Sequence, residues 1–121
     1  MEGTNALDLA TRLRDLTLAQ LEAARTGQWE MATEYLQQRG LVLQRLHALD
    51  PERLDEPCRA AIAALLEEVR ALDRELVALV ETALEAAREE QRTRERNDAA
   101  ARGYRRALGA SGAAGIVDHE V

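Results

Sequence analysis

The side chains able to do chemistry in this 121-residue chain are few, and their spacing decides which reactions remain open. His47 and His119 are the two histidines, and Cys58 is the lone cysteine. One cysteine excludes an intramolecular disulfide and a multi-cysteine metal site, and at a helical spacing it reads as an ordinary core residue. His47 has Gln44, not a carboxylate, three residues before it. The Glu-x-x-His pattern of di-iron bundles is therefore absent, as is any zinc spacing, and His47 reads as a surface or seam-edge residue. No metal and no cofactor are expected. Acids are plentiful but clustered: residues 50–87 hold ten Asp and Glu against four Arg. This is the pattern of a solvated helix face, or of a surface complementary to a basic partner.

One enzymatic possibility has a specific form. The segment Ala71-Leu72-Asp73-Arg74-Glu75-Leu76-Val77-Ala78-Leu79 resembles the first helix of the all-helical chorismate mutases. That family places catalytic arginines seven residues before and ten residues after the aspartate. Those positions here are Leu66 and Ala83, and the family's following lysine falls on Arg94. At most one of three substrate-holding cations is present. The likeness is one of amphipathic helix pattern, and the chain is expected not to be an enzyme.

The elements that must position these residues are helical. With 23 Ala, 19 Leu and no Phe or Lys, the composition favours an all-α fold over sheet. The formal charge of −6 makes nucleic acid an unfavourable partner. The longest unbroken apolar run, Ala60 to Leu66, is far short of the ~18 residues a membrane span needs. Glu2 and Asp8 at the start do not make a signal-peptide pattern, so a cytoplasmic location is expected.

Apolar spacing divides the chain into three helices and a tail. Asn5 is the expected cap of the first, with Leu9, Leu13 and Leu16 following at helical spacing and Leu7, Leu18 and Leu21 widening the stripe. Thr26 and Gly27 should end it. In the second helix, Trp29, Ala32, Leu36 and Leu43 mark one face, and Tyr35, Val42, Leu46 and Leu49 an adjoining one. Arg39 lies between these faces, where a guanidinium must pair across a helix interface or extend outward along its stem. Trp29 and Arg39 are assigned structural roles.

Asp50 and Pro51 should stop the second helix, and Pro57 fits the first position of the third. That helix carries the clearest pattern. Cys58, Ile62, Leu65, Val69, Leu72, Leu76, Leu79 and Ala83 recur at alternating four and three, a heptad seam. Leu66, Val77, Val80 and Leu84 form a flanking apolar strip outside it. Arg88 to Asp98 is entirely polar, either a solvated extension of the helix or a linker, and Glu90 and Arg94 favour the helix. Ala99 to Leu108 resumes helical character around Tyr104. The expected organisation is an antiparallel bundle over residues 1–108 and a flexible glycine-marked tail over 109–121.

The turn between the first two helices is distinctive: Ala24, Gly27, Trp29 and Glu30, followed by Arg39, Leu43 and Leu46. With the long third helix, Tyr104 and the closing Ile116-Val117-Asp118, it resembles the flagellar export chaperones of the FliT-like family. The resemblance covers nearly the whole chain. It implies a cytoplasmic chaperone that holds the helical C-terminal region of the filament-cap protein, prevents premature assembly and delivers it to the export apparatus. It also implies a C-terminal segment that regulates access to the client surface. A neighbouring class serving hook-associated proteins fits the same outline.

Taken with the residues, the expected client groove lies between the second and third helices, with Leu66, Val77, Val80 and Leu84 as its partner-binding strip. Tyr104 and Leu108 mark the regulatory segment. The rival reading is a structural coiled-coil homodimer paired through the third-helix heptads.

Overall fold

A computed structural model describes the backbone of residues 2–113 and the side chains of residues 5–109. The described elements are α1 (Glu2–Arg25), α2 (Trp29–His47), a 3-10 turn (Pro51–Arg53) and α3 (Glu56–Ala113). The fold class is all-α, and no strand occurs among the described residues. The chain divides into two units, Met1–Glu81 and Thr82–Val121.

In the first unit three helices run up, down and up. Gly27 makes the first reversal, at φ +76°, a backbone conformation that glycine adopts without the clash a Cβ would bring. Its N–H bonds the Ala24 carbonyl, and the Gln28 N–H bonds that of Ala23, so the last turn of α1 is closed. The second reversal is built by two aspartates. Asp50 has extended backbone ahead of Pro51, and its side chain accepts from the Glu52 N–H. Asp55 caps α3 by accepting from the Cys58 N–H at 2.8 Å.

Alternation of direction is fixed by side-chain pairs. Arg14 reaches Glu68 and Arg25 reaches Glu75, so α1 and α3 run parallel. Arg39 on α2 meets Asp73 on α3, and Leu43 and Leu46 lie across from Leu66 and Ile62, so α2 and α3 run antiparallel. The core has two parts. Leu13, Leu16, Val42 and Val69 form one, with Leu9, Tyr35, Leu43, Leu46 and Leu66 packed against it. Leu21, Ala24 and Leu76 form the other, with Leu72 and Leu79 alongside.

Within the first unit the α3 heptad seam, from Cys58 to Leu79, faces this core: none of its seven positions is exposed, and Val69 and Leu76 are its most buried members. Several expectations need correction. Asn5 does not cap α1, because the helix already runs from Glu2. Pro57 is the second residue of α3, since Asp55 caps the helix one position earlier than the proline requires. Leu18 and Leu36, expected on packed faces, are exposed, at 45% and 52%. Leu49 lies beyond the end of α2, which stops at His47. Leu66 of the flanking strip, outside the seam, is half-buried against the cluster around Val69.

In the second unit α3 is helical through Arg88–Asp98, so this stretch is helix and not linker. Its stability is local. Glu85 and Glu89 both bind Arg92, at 3.0 and 2.8 Å, and Glu90 binds Arg94 at 2.9 Å, each pair one or two turns apart along the helix. The helix continues past Gly109 to Ala113. His119 and the Ile116-Val117-Asp118 ending lie outside the described residues.

Candidate functional site

The polar centre of the first unit is Arg39, only 7% exposed. Its Nη1 donates to Asp73 Oδ1 at 2.9 Å and its Nη2 to Asp73 Oδ2 at 3.0 Å, a two-pronged pairing of fork and carboxylate. Nη1 also donates to Gln20 Oε1 at 2.7 Å. One side chain of α2 thus ties α1 to α3. Nε is buried with no partner, so the guanidinium is not fully satisfied. Asp73, the aspartate of the chorismate-mutase-like segment, is committed to this internal pair.

Above and below this pair the α2–α3 side of the unit is apolar. Towards the second reversal, a cavity of about 350 Å³ opens among Leu43, Leu46, Leu49, Leu54, Ile62 and Leu66, with Ala6 of α1 contributing and His47 at its edge. Arg59 closes its rim, donating to the Pro51 carbonyl and pairing with Glu56. Towards the first reversal, Trp29 (40% exposed) and Leu36 (52%) on α2 and Val77 (55%) and Val80 (36%) on α3 stand open. The antiparallel register set by Arg39 and Asp73 brings this end of α2 alongside Val77 and Val80.

Of the expected partner-binding residues, Leu66 therefore lines the cavity, and Val77 and Val80 lie on open surface at the other end. Leu84, in the second unit, is exposed on its own stretch of α3. Tyr104 and Leu108 are likewise exposed in the second unit, at 69% and 54%. Arg39 pairs across both helix interfaces and does not extend outward along its stem. Trp29 is surface more than core.

Sequence reasoning missed the cavity wall formed by Leu54 and Leu49, because it depends on how the chain turns at Pro51. It also missed two buried polar residues of α1. Thr17 returns its hydroxyl to the Leu13 carbonyl, and Gln20 receives Arg39. The signal was present, since both continue the Leu13–Leu16 stripe at helical spacing.

The family model for flagellar protein FliT matches residues 7–106, which includes all of α2 and the reversals on either side of it. The chain belongs to the FliT family. No curated protein and no solved structure matches it. The turn residues Gly27 and Trp29, and Arg39 that follows, all fall inside the FliT match, as do both ends of the apolar α2–α3 side. Both ends of that side in this FliT-family chain are lined by apolar residues. Among the described residues no group of three or more His, Cys, Asp or Glu is placed to hold a metal ion. No described helix is long and apolar enough to cross a membrane.

Proposed function

We propose that this chain is a cytoplasmic chaperone of flagellar export, which binds the helical C-terminal region of the filament-cap protein, keeps it from assembling early and delivers it to the export apparatus. The observation that carries this reading is the apolar α2–α3 side: a cavity floored by Leu43, Leu46 and Leu66 at one end, and Trp29, Leu36, Val77 and Val80 exposed at the other. A long surface of this kind matches the way an amphipathic helix docks in a groove. Family membership supports a flagellar chaperone, and the groove supports a helical client.

The partner-binding residues are Leu66 as floor and Val77 and Val80 as open wall, with Leu84 a further apolar contact of the second unit. Tyr104 and Leu108 belong to a segment that regulates client access. Truncation after Asp98 should then tighten client binding, and unchanged or weaker binding would remove the regulatory role. Co-expression with the filament-cap and hook-associated proteins of the same organism tests the client. Recovery of the cap protein in a stable complex is expected, and selective recovery of a hook-associated protein would move the chain to the neighbouring chaperone class.

The coiled-coil homodimer reading draws on the α3 heptads. Within Met1–Glu81 that seam is occupied by the chain's own α1 and α2, with Val69 against Leu13, Leu16 and Val42, and Leu76 against Leu21 and Ala24. This supports the chaperone reading over a dimer paired through the seam.

A further inference from the structure

Gly40 sits in the middle of α2 without a reason inside the chain. Its φ is not positive, so no backbone strain requires glycine, and a Cβ built there meets nothing within 4 Å, so no neighbour requires the space. Glycine in a helix interior is nevertheless unfavourable relative to alanine. The position becomes intelligible through its neighbours. Trp29, Thr33, Leu36, Gly40, Leu43 and His47 recur at spacings of four, three, four, three and four, a second heptad strip along α2. Leu66, Arg70, Asp73, Val77 and Val80 recur in the same way on α3. The residues just inside each strip are core: Ala32, Arg39 and Leu46 on α2, Val69 and Leu76 on α3. The two strips therefore flank the core of an antiparallel helix pair: Leu43, Leu66 and Asp73 are partly covered, whereas Trp29, Leu36, Gly40, Val77 and Val80 are open, which leaves room for one more helix along them.

We propose that Gly40 is a specificity-determining notch, receiving a bulky apolar side chain of a single client helix that lies along both strips. This rests on the chaperone reading above and deepens it. The missing side chain at a seam position leaves a hole between Leu36 and Leu43 into which a large knob fits. The span of α2, 19 residues, fixes the helix at about 28 Å, five turns. Charge selects the occupant. Met1–Glu81 holds 15 Asp and Glu against nine Arg, a balance of −6, and beside the strips Glu30, Glu67 and Glu81 outnumber Arg70 and Arg74, with Glu67 paired to Arg70. A second copy would meet this surface with like charge, whereas a helix with 4-3 apolar spacing and basic flanks complements it.

The test uses the full chain, its Gly40→Ala and Gly40→Leu variants, and a designed helix of about 20 residues with leucines at 4-3 spacing and lysine flanks. The leucines are replaced by alanine one at a time. Open space around Gly40 means both variants should fold with unchanged or raised Tm. The parent helix should bind the wild-type chain. At one position, leucine-to-alanine should weaken binding to wild type by about tenfold or more, yet strengthen binding to Gly40→Leu. The same position preference in wild type and Gly40→Leu, or failure of the designed helix to bind, overturns the notch. A wild-type dimer that Gly40→Leu dissociates also overturns it, in favour of self-association. The filament-cap protein is titrated alongside. If it fails to bind while the designed helix shows the reversal, the cap-client reading falls and the notch stands.

Discussion

Arg39 and Asp73 face each other as fork and carboxylate across the α2–α3 interface, with bonds of 2.9 and 3.0 Å, and they sit where the apolar side of the bundle is interrupted. The pair fixes register. Shifting α2 along α3 by a turn would leave a guanidinium buried with one amide for company, so the antiparallel alignment that creates both the cavity and the exposed Trp29–Val80 end depends on it.

Asp73→Ala should therefore destabilise the fold by about 2–3 kcal/mol, because it leaves the buried Arg39 charge with Gln20 alone, partly offset by the solvent that reaches Asp73. The double replacement Arg39→Met with Asp73→Leu should recover most of that loss. Urea unfolding of the parent, Asp73→Ala, the single variants Arg39→Met and Asp73→Leu, and the double variant checks it. Additive losses in the double variant would mean that the two residues act independently.

The glycine and cap of the reversals carry a second prediction. Gly27→Ala should cost on the order of 1 kcal/mol, since alanine resists φ +76°. Asp55→Ala should cost about as much through loss of the bond to the Cys58 N–H. Gly40→Ala should do the opposite, raising stability by up to about 1 kcal/mol. Thermal melts of the three variants separate a glycine that shapes the chain from one that leaves room for something else.

Acid should loosen one stretch of α3 ahead of the rest. The hydrogen bond from Arg92, reinforced by its charge, holds the Glu89 carboxyl below the ordinary glutamate range, and Glu89 in turn raises the Arg92 guanidinium. A carboxylate with a depressed folded pKa contributes stability that is complete above its unfolded value and is lost as pH falls through the folded one. Both groups are exposed, so the effect is small and weakened by salt. Cα chemical shifts of residues 85–96 in the intact chain should lose helical character on acidification before those of α1 and α2 do. Simultaneous loss everywhere would contradict a locally held helix.

How far the sequence could be read follows from what each residue depends on. The α3 seam from Cys58 to Ala83 was fully legible because a long helix with one core-facing side writes its burial as period. Arg39 was legible as a paired residue, but Asp73 and Gln20 as its partners were not, since both are brought to it by the packing of separate helices. Leu36 and Leu43 stand at the same period on α2, yet one is exposed and the other packs on the core. Only the register of α2 on α3 separates them. The cavity depends on the 3-10 turn at Pro51–Arg53, which brings Leu54 to the cavity that Ile62 also lines, in a way that no periodicity encodes.

The most direct measurement is a calorimetric titration of the intact chain with the filament-cap protein of the same organism, repeated with a Val77→Asp, Val80→Asp variant. Both valines are exposed, so the variant should keep its helicity and melting temperature close to those of the parent. The account predicts a saturable one-to-one complex for the parent and at least about a tenfold loss of affinity for the variant, as charge is placed in an apolar contact. Equal binding by a folded variant, or no binding by the parent, would contradict a client groove between α2 and α3.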